Sequence, residues 1–364
     1  MPMPPPLPSA AAAVGDLVVR RPEGLYCPPG DFYIDPWRAV PRAIITHAHA
    51  DHARGGHGAY LCAAPGEGVL RARLGDIRLQ TLAYGQTIHV QGVTVSLHPA
   101  GHVLGSAQVR LAWRGQVWVV SGDYKTEPDR TCAPFESVRC HCFITESTFG
   151  LPIYRWRPSA EVFAEINGWW QGNVAAGRPS LLLGYSFGKA QRLLAGLDPA
   201  IGPIVVHSAV EPLNEAYRAE GVALPPTLRF SEVKDKALWR QAVVLAPPSA
   251  ARGPMSRTLS GASDAMASGW MQLRGARRRA GLDRGFVLSD HADWPGLVGA
   301  IGATGAERVI VTHGQEAVLV RWLQEQGLDA SSMETDYGDE AANDTTDAVV
   351  PAAEAPAPSD QQAP

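Results

Sequence analysis

The segment "AIITHAHADHARGG", residues 43–56, places three histidines and an aspartate within six positions directly after an apolar run. A packed core does not favour such a cluster, because buried polar groups without partners cost free energy. Residues 42–46 read as a short buried strand, and the Ala and Gly spacers read as a loop leaving its end. In an extended segment side chains at i and i+2 project to one face, so His47 and His49 converge on one point while Asp51 and His52 reach another. Imidazole and carboxylate suit zinc and similar transition metals, and a catalytic zinc site keeps one coordination position open. The spacing therefore points to two neighbouring ions.

Two ions need more ligands. "HPAGHVLGSAQVRL" supplies His102 in a Gly-flanked loop before an alternating strand, and "VWVVSGDYK" supplies Asp123 in a turn after a strongly apolar one. Each stands at the end of a strand, where loops commonly carry ligands. Singly, either is an ordinary turn residue; with the first cluster, and in this order, they form a pattern.

That pattern resembles the metallo-β-lactamase superfamily, in which "HxHxDH" is followed by a later His and a later bridging Asp. Here it reads "HAHADH", His102 and Asp123, and Asp35 in "FYIDPW" matches the upstream acidic position that orders the ligand loop. The superfamily also holds thioesterases, lactamases and flavoproteins, so the fold alone names no substrate. The second half narrows it. "CFITESTFG" gives Glu146, "GFVLSDHADW" gives Ser289, Asp290, His291 and Asp293, and "RVIVTHGQE" gives His313, Gly314 and Glu316. These look like the three motifs of the β-CASP nucleases. Most of the chain is similar to bacterial DNA ligase-associated exonucleases, a group also named mRNA 3′-end processing factors.

The resemblance implies an α/β fold: an αββα sandwich from residues 15–150 and 285–330, with an inserted β-CASP α/β cap domain over 151–284. It implies one zinc on His47, His49 and His102, a second on Asp51, His52 and His313, and Asp123 between them; manganese also suits such ligands. Two such ions lie roughly 3.5–4 Å apart and lower the pKa of a shared water to near 7. His291 would protonate the departing alkoxide, a task that suits a group titrating near 6.5. Glu146 would orient it, and Asp51 counts among the catalytic as well as the metal-binding residues. DNA-repair members of the branch tend to carry Val where His313 stands, whereas RNA-cutting members carry His, so this position does not choose between DNA and RNA. The expected activity is a DNA exonuclease working 5′ to 3′ in repair, with an ATP-dependent DNA ligase and a helicase as partners; an RNA-processing endo- or exonuclease is the alternative. A glyoxalase-like thioesterase and a metal-dead binding module fit less well, given the long cap and the complete ligand set.

At 364 residues, with 45% hydrophobic and 19% charged side chains, the chain is large enough for two ordinary domains. No apolar stretch approaches the roughly 20 residues of a membrane span. "MPMPPPLPSAAAAV" reads as a disordered arm over 1–14 rather than an export signal, which favours the cytoplasm. Five cysteines without a CxxC pair argue against a disulfide framework. The net charge of −4 is unevenly spread: nine acidic and no basic residues lie from Asp329 onward, leaving 32 basic against 27 acidic before it. Residues 331–364 therefore read as an acidic disordered tail.

In the expected cap, "GYSFGKAQ" is one residue short of a phosphate loop and has Ala190 where that motif needs a hydroxyl, so no ATP site is expected. Ser186, Lys189 and the helix start could hold a substrate phosphate, or the turn could be purely structural. The run "RGARRRAGLDR" sets Arg274, Arg277, Arg278 and Arg279 just before the Asp-His motif, where contact with a nucleic-acid backbone competes with the ordinary reading of a solvated face. The pair Trp169 and Trp170 reads as helix core packing.

Overall fold

The computed structural model describes residue 7 and residues 15–252, 254–275, 278 and 281–337. Three sheets organise these residues into a mixed α/β fold. The first runs in the order Val19–Arg21, Gly24–Cys27, Phe32–Ile34, Ala43–Ile44, Tyr60–Ala63 and Leu79–Leu82. The second places Asp329–Ser332, Arg308–Gly314, Cys142–Ser147, Gln116–Val120, Ala107–Trp113, Val93–Pro99 and Thr87–Val90 side by side. Six parallel strands, drawn from residues 180–286, make the third.

The period-two geometry of strands explains how these sheets are buried. Trp118 and Val120 point into a core shared with the first sheet, where Leu25, Ile34 and Leu61 meet Val95, Val109 and Ile144. Between them Val119 points the other way, to Leu297, Ile301, Leu319 and Leu323 on the helices Trp294–Thr304 and Glu316–Glu325. The opposite face of the first sheet packs Tyr26, Tyr33 and Tyr60 against Val69 and Leu70 of Glu67–Leu74 and Leu213 and Tyr217 of Glu211–Ala219. Strands covered on both faces lose the apolar–polar alternation of half-buried ones, as in Cys142–Ser147 and Ser180–Leu183, where every residue is buried.

The helix Ser159–Ala175 buries Val162, Ile166, Trp169, Trp170 and Asn173 along one face. Both indoles are core residues with satisfied N–H groups, Trp169 donating to Ser263 Oγ (3.0 Å) and Trp170 to the Gln241 carbonyl (2.9 Å).

Two sequence expectations need correction. The strand expected at 42–46 covers only Ala43–Ile44, because Thr46 leaves the ladder: its N–H donates to Asp35 Oδ1 (2.7 Å) and its hydroxyl to Asp35 Oδ2 (2.5 Å). Residues 331–337 of the expected acidic disordered tail belong to the fold. Asp329–Ser332 pairs in parallel with Arg308–Gly314, Met333 N–H donates to the Val311 carbonyl, and Tyr337 packs on Trp37 and His52. Residues 338–364 lie outside the described residues, as does the expected arm apart from Leu7. Among the described residues no helix is long and apolar enough to cross a membrane.

Candidate metal centre

Gln116–Val120, Cys142–Ser147 and Arg308–Gly314 are adjacent and parallel, so their carboxyl ends share one edge of the second sheet. That edge is where open α/β sheets hold ligands. Asp123 follows the first strand, Glu146 ends the second and His313 the third. The loop after Ala43–Ile44 brings His47, His49, Asp51 and His52 to the same place, and the loop after Val93–Pro99 brings His102. Gly122 makes the close approach possible: its φ is +56°, and a Cβ there would stand 2.6 Å from Thr46 Oγ1.

The potential ligand atoms fall into connected groups with Asp123 in common: His47, His49, His102 and Asp123; His52, Asp123 and His313; and Asp123, Glu146 and His291. Their separations match a shared ion. Two atoms held about 2.0–2.1 Å from a tetrahedral zinc stand about 3.3–3.4 Å apart. His47 Nε2 lies 3.4 Å from Asp123 Oδ2, His52 Nε2 3.5 Å and His102 Nε2 3.8 Å from the same oxygen, while His313 Nε2 lies 3.1 Å from Oδ1. Asp51 Oδ2 is 3.6 Å from His52 Nε2.

Proton accounting shows that these atoms suit a cation. A backbone carbonyl only accepts, so His102 donates from Nδ1 to the Asp290 carbonyl (2.9 Å) and His49 from Nε2 to the Phe187 carbonyl (3.4 Å). Their other nitrogens, His102 Nε2 and His49 Nδ1, are then lone pairs facing each other at 3.1 Å. His47 Nδ1 donates to Thr46 Oγ1 (3.0 Å), whose own proton goes to Asp35, and His52 Nδ1 donates to Asp35 Oδ2 (2.8 Å). His313 Nδ1 sits 3.2 Å from Thr312 Oγ1, which donates to the Thr145 carbonyl. Every histidine is thus held through one nitrogen so that the other aims inward, the arrangement that orients metal-binding imidazoles. His47 Nε2, His52 Nε2 and Asp51 Oδ1 are buried with no hydrogen-bond partner among the described residues. Metal ions bound in the two halves of the cluster would satisfy all three.

Burial and the neighbouring imidazoles hold His47 and His49 well below the usual histidine range, and His102 at about 4. Burial also opposes charge on His52, but Asp123, Asp51 and Asp35 outweigh it and hold its pKa up at about 10. Burial would raise the Asp123 carboxyl; His52 and the adjoining His313 instead keep it well below its ordinary value. Beside this cluster His291 Nδ1 meets Glu146 Oε2 (2.9 Å) and Oε1 (3.1 Å), and Glu146 Oε1 also accepts from Tyr124 N–H (2.7 Å).

The nucleic-acid candidates fare differently. Lys189 is fully buried, its Nζ 3.0 Å from both Asp290 Oδ2 and the Leu288 carbonyl, so the expected phosphate contact by Lys189 is corrected to an internal ion pair. Ser186 is buried as well. Arg274 and Arg278 are exposed, while Arg277 and Arg279 lie outside the described residues. Cys140 and Cys142 are buried thiols with raised pKa values and take no part in the clusters. Sequence reasoning missed Arg73, which donates to the Ala48 carbonyl between His47 and His49, and Tyr337, whose ring stacks on His52 at 4.3 Å and meets His313 edge-on at 5.4 Å. Neither carries a local motif.

No family model matches the chain. Over 316 residues, 86% of its length, it is 34% identical to a "Probable DNA ligase" of Opitutus terrae. Over 123 residues, 33% of its length, it is 32% identical to "Endoribonuclease YSH1" of Eremothecium gossypii and 30% identical to the protein of that name in Saccharomyces cerevisiae. These matches support the β-CASP branch of the metallo-β-lactamase superfamily as the family that the chain resembles. The chain spans 30% of the Opitutus protein and 16% of each of the two endoribonucleases, less than a third of the length of these relatives. A crystal structure of an Enterococcus faecalis V583 protein shares the fold, with a TM-score of 0.53, 12% identity, and 82% and 80% of the two chains covered.

Proposed function

We propose that the protein is a metal-dependent phosphodiester hydrolase, a DNA exonuclease acting 5′ to 3′ in repair. The observation that carries this reading is the Asp123 carboxylate, one oxygen beside His47, His52 and His102 and the other beside His313, at spacings that fit shared ions. In this reading the first two sheets and their outer helices, residues 15–150 and 285–330, are the αββα sandwich, and the parallel third sheet, within 151–284, is the β-CASP cap. His47, His49, His102 and Asp123 would hold one zinc or manganese ion, and Asp51, His52, His313 and Asp123 the other. Such a pair supplies an activated water at neutral pH and charge stabilisation for the phosphoryl oxygens.

The remaining chemistry belongs to the side chains. Glu146 stays ionised: burial would raise its pKa, but the adjoining His291 outweighs this and lowers it. It holds His291 through Nδ1, so the proton passed to the departing alkoxide leaves from Nε2. Arg274 and Arg278, exposed ahead of the His291 loop, are available to backbone phosphates. DNA is favoured because a match over 86% of the chain is to a protein named as a DNA ligase, and a ligase and a helicase are the proposed partners. The endoribonuclease matches support RNA as the second reading. Single-stranded DNA and RNA labelled at either end, incubated with zinc or manganese, separate the two, with His47→Ala as control. Stepwise loss of DNA from the 5′ end is the expected result; cleavage of RNA alone moves the protein to RNA processing.

A further inference from the structure

We propose that Lys189 and Arg192, two buried cations on the helix Lys189–Gly196, are positioning residues for the His47, His49 and His102 half of the metal centre. The proposal rests on the reading of His49 and His102 as ligands of one ion. Neither cation touches that site directly. Lys189 is fully buried and Arg192 nearly so, and both grip the loop that carries His291. Lys189 Nζ takes the Leu288 carbonyl (3.0 Å) and Asp290 Oδ2 (3.0 Å). Arg192 Nη1 takes the Ser289 carbonyl and approaches Asp290 Oδ1 (3.3 Å). Two consecutive carbonyls and both carboxylate oxygens of Asp290 are thereby fixed from one helix face.

The consequence lies in the remaining group of Asp290. With its carboxylate held by two cations, its backbone carbonyl points to His102 Nδ1 at 2.9 Å and sets which nitrogen of that ring carries the proton. The same helix reaches His49 through its leading turn. The Phe187 carbonyl lies 3.4 Å from His49 Nε2, and Gln191 Oε1 pins that turn by accepting from Gly188 N–H at 2.8 Å. One helix therefore orients two of the three imidazoles of this half-site. Arg192 is itself braced by Asp129 Oδ2 (2.9 Å) and Ser159 Oγ (2.7 Å), which ties the loop after Gln116–Val120 and the start of Ser159–Ala175 into the same clamp. A purely structural ion pair needs charge balance; a positioning clamp also needs the direction of the Asp290 carbonyl.

The test uses the full chain, Zn2+ titrated against a chelating indicator, and metal-free thermal melts. Lys189→Met with Asp290→Asn removes both buried charges together, and Arg192→Lys keeps the charge but loses the guanidinium fork. The expected result is a cooperative melt for each variant, with one Zn2+ per chain weakened by about tenfold to a hundredfold, the range found when partners of metal-bound histidines are lost, and the other unchanged. Folded variants that bind both ions as tightly as wild type overturn the proposal, and Arg192→Lys decides alone if the double variant does not fold. His102→Ala separates the proposal from its premise: if that variant still binds two ions at wild-type affinity, the ligand reading fails; if it loses one while the clamp variants lose nothing, only the clamp fails.

Discussion

The two halves of the candidate metal centre meet at Asp123 yet are electrostatically unlike. One is a cup of buried imidazoles, His47, His49 and His102, whose pKa values burial and mutual repulsion push down, so they stand neutral and ready to bind. The other is rich in carboxylates. Asp35, Asp51 and Asp123 surround His52 and draw a proton onto it, His313 remains partly exposed, and Tyr337 covers one side. In the proposed reading a cation would enter the first half without displacing a proton and the second by replacing one. The same ligand types would thus give one site whose metal affinity is flat around neutral pH and one whose affinity still rises with pH there.

The most damaging change is to the group both halves share. Asp123→Ala should abolish two-ion binding and lower turnover by about a thousandfold, the upper range for loss of a key electrostatic group, measured by metal content and single-turnover cleavage. Loss of only one ion with turnover intact would mean that the halves are independent. Gly122→Ala strains the turn that brings Asp123 to both: a positive φ and a Cβ 2.6 Å from Thr46 Oγ1 should cost about 2 kcal/mol. Chemical denaturation of the metal-free protein reads this, and an unchanged midpoint would show that the turn relaxes freely.

The charge difference makes a prediction with a sign. His52 titrates higher folded, at about 10, than unfolded, so its contribution to metal-free stability is complete below about pH 6.5 and is lost as pH rises through about 10. His102, at about 4, does the reverse: its contribution is complete above about pH 6.5 and is lost as pH falls towards 4. At pH 7.5, Zn2+ entering the second half should release about one proton and the first half none. Calorimetry in buffers of different ionisation enthalpy counts the protons, and equal release from both halves would erase the contrast. The smallest effect is expected at Tyr337. Removing its ring from His52 should weaken the second ion by a few-fold, in line with about 1 kcal/mol for a ring pair, with Tyr337→Phe near wild type. Equal weakening of both ions would contradict a role confined to one half.

What the sequence made readable was whatever repeats a local pattern. The ligand run at 47–52, the strand-end residues Asp123, Glu146 and His313, and the alternation in Ala107–Trp113 each follow from a few consecutive side chains, and the observed geometry brings them together. The sequence leaves Lys189 open between a phosphate contact and a structural turn because a glycine turn before a helix looks alike whether its lysine faces solvent or Asp290; only the packing of the 288–291 loop distinguishes them. Arg73, Arg192 and Tyr337 left no signal, since each acts across more than 20 residues of sequence, on Ala48, Ser289 and His52 respectively. The strand Asp329–Ser332 was hidden by its acidic surroundings, although pairing with Arg308–Gly314 supplies the backbone partners that its side chains do not advertise.

The most direct measurement is cleavage of 5′-labelled single-stranded DNA by the metal-free protein as Zn2+ is added in known equivalents. Two half-sites joined by Asp123 should leave cleavage near background through the first equivalent and raise it with the second. Full cleavage at one equivalent, or none with two ions bound and RNA equally untouched, would contradict a two-ion phosphodiesterase.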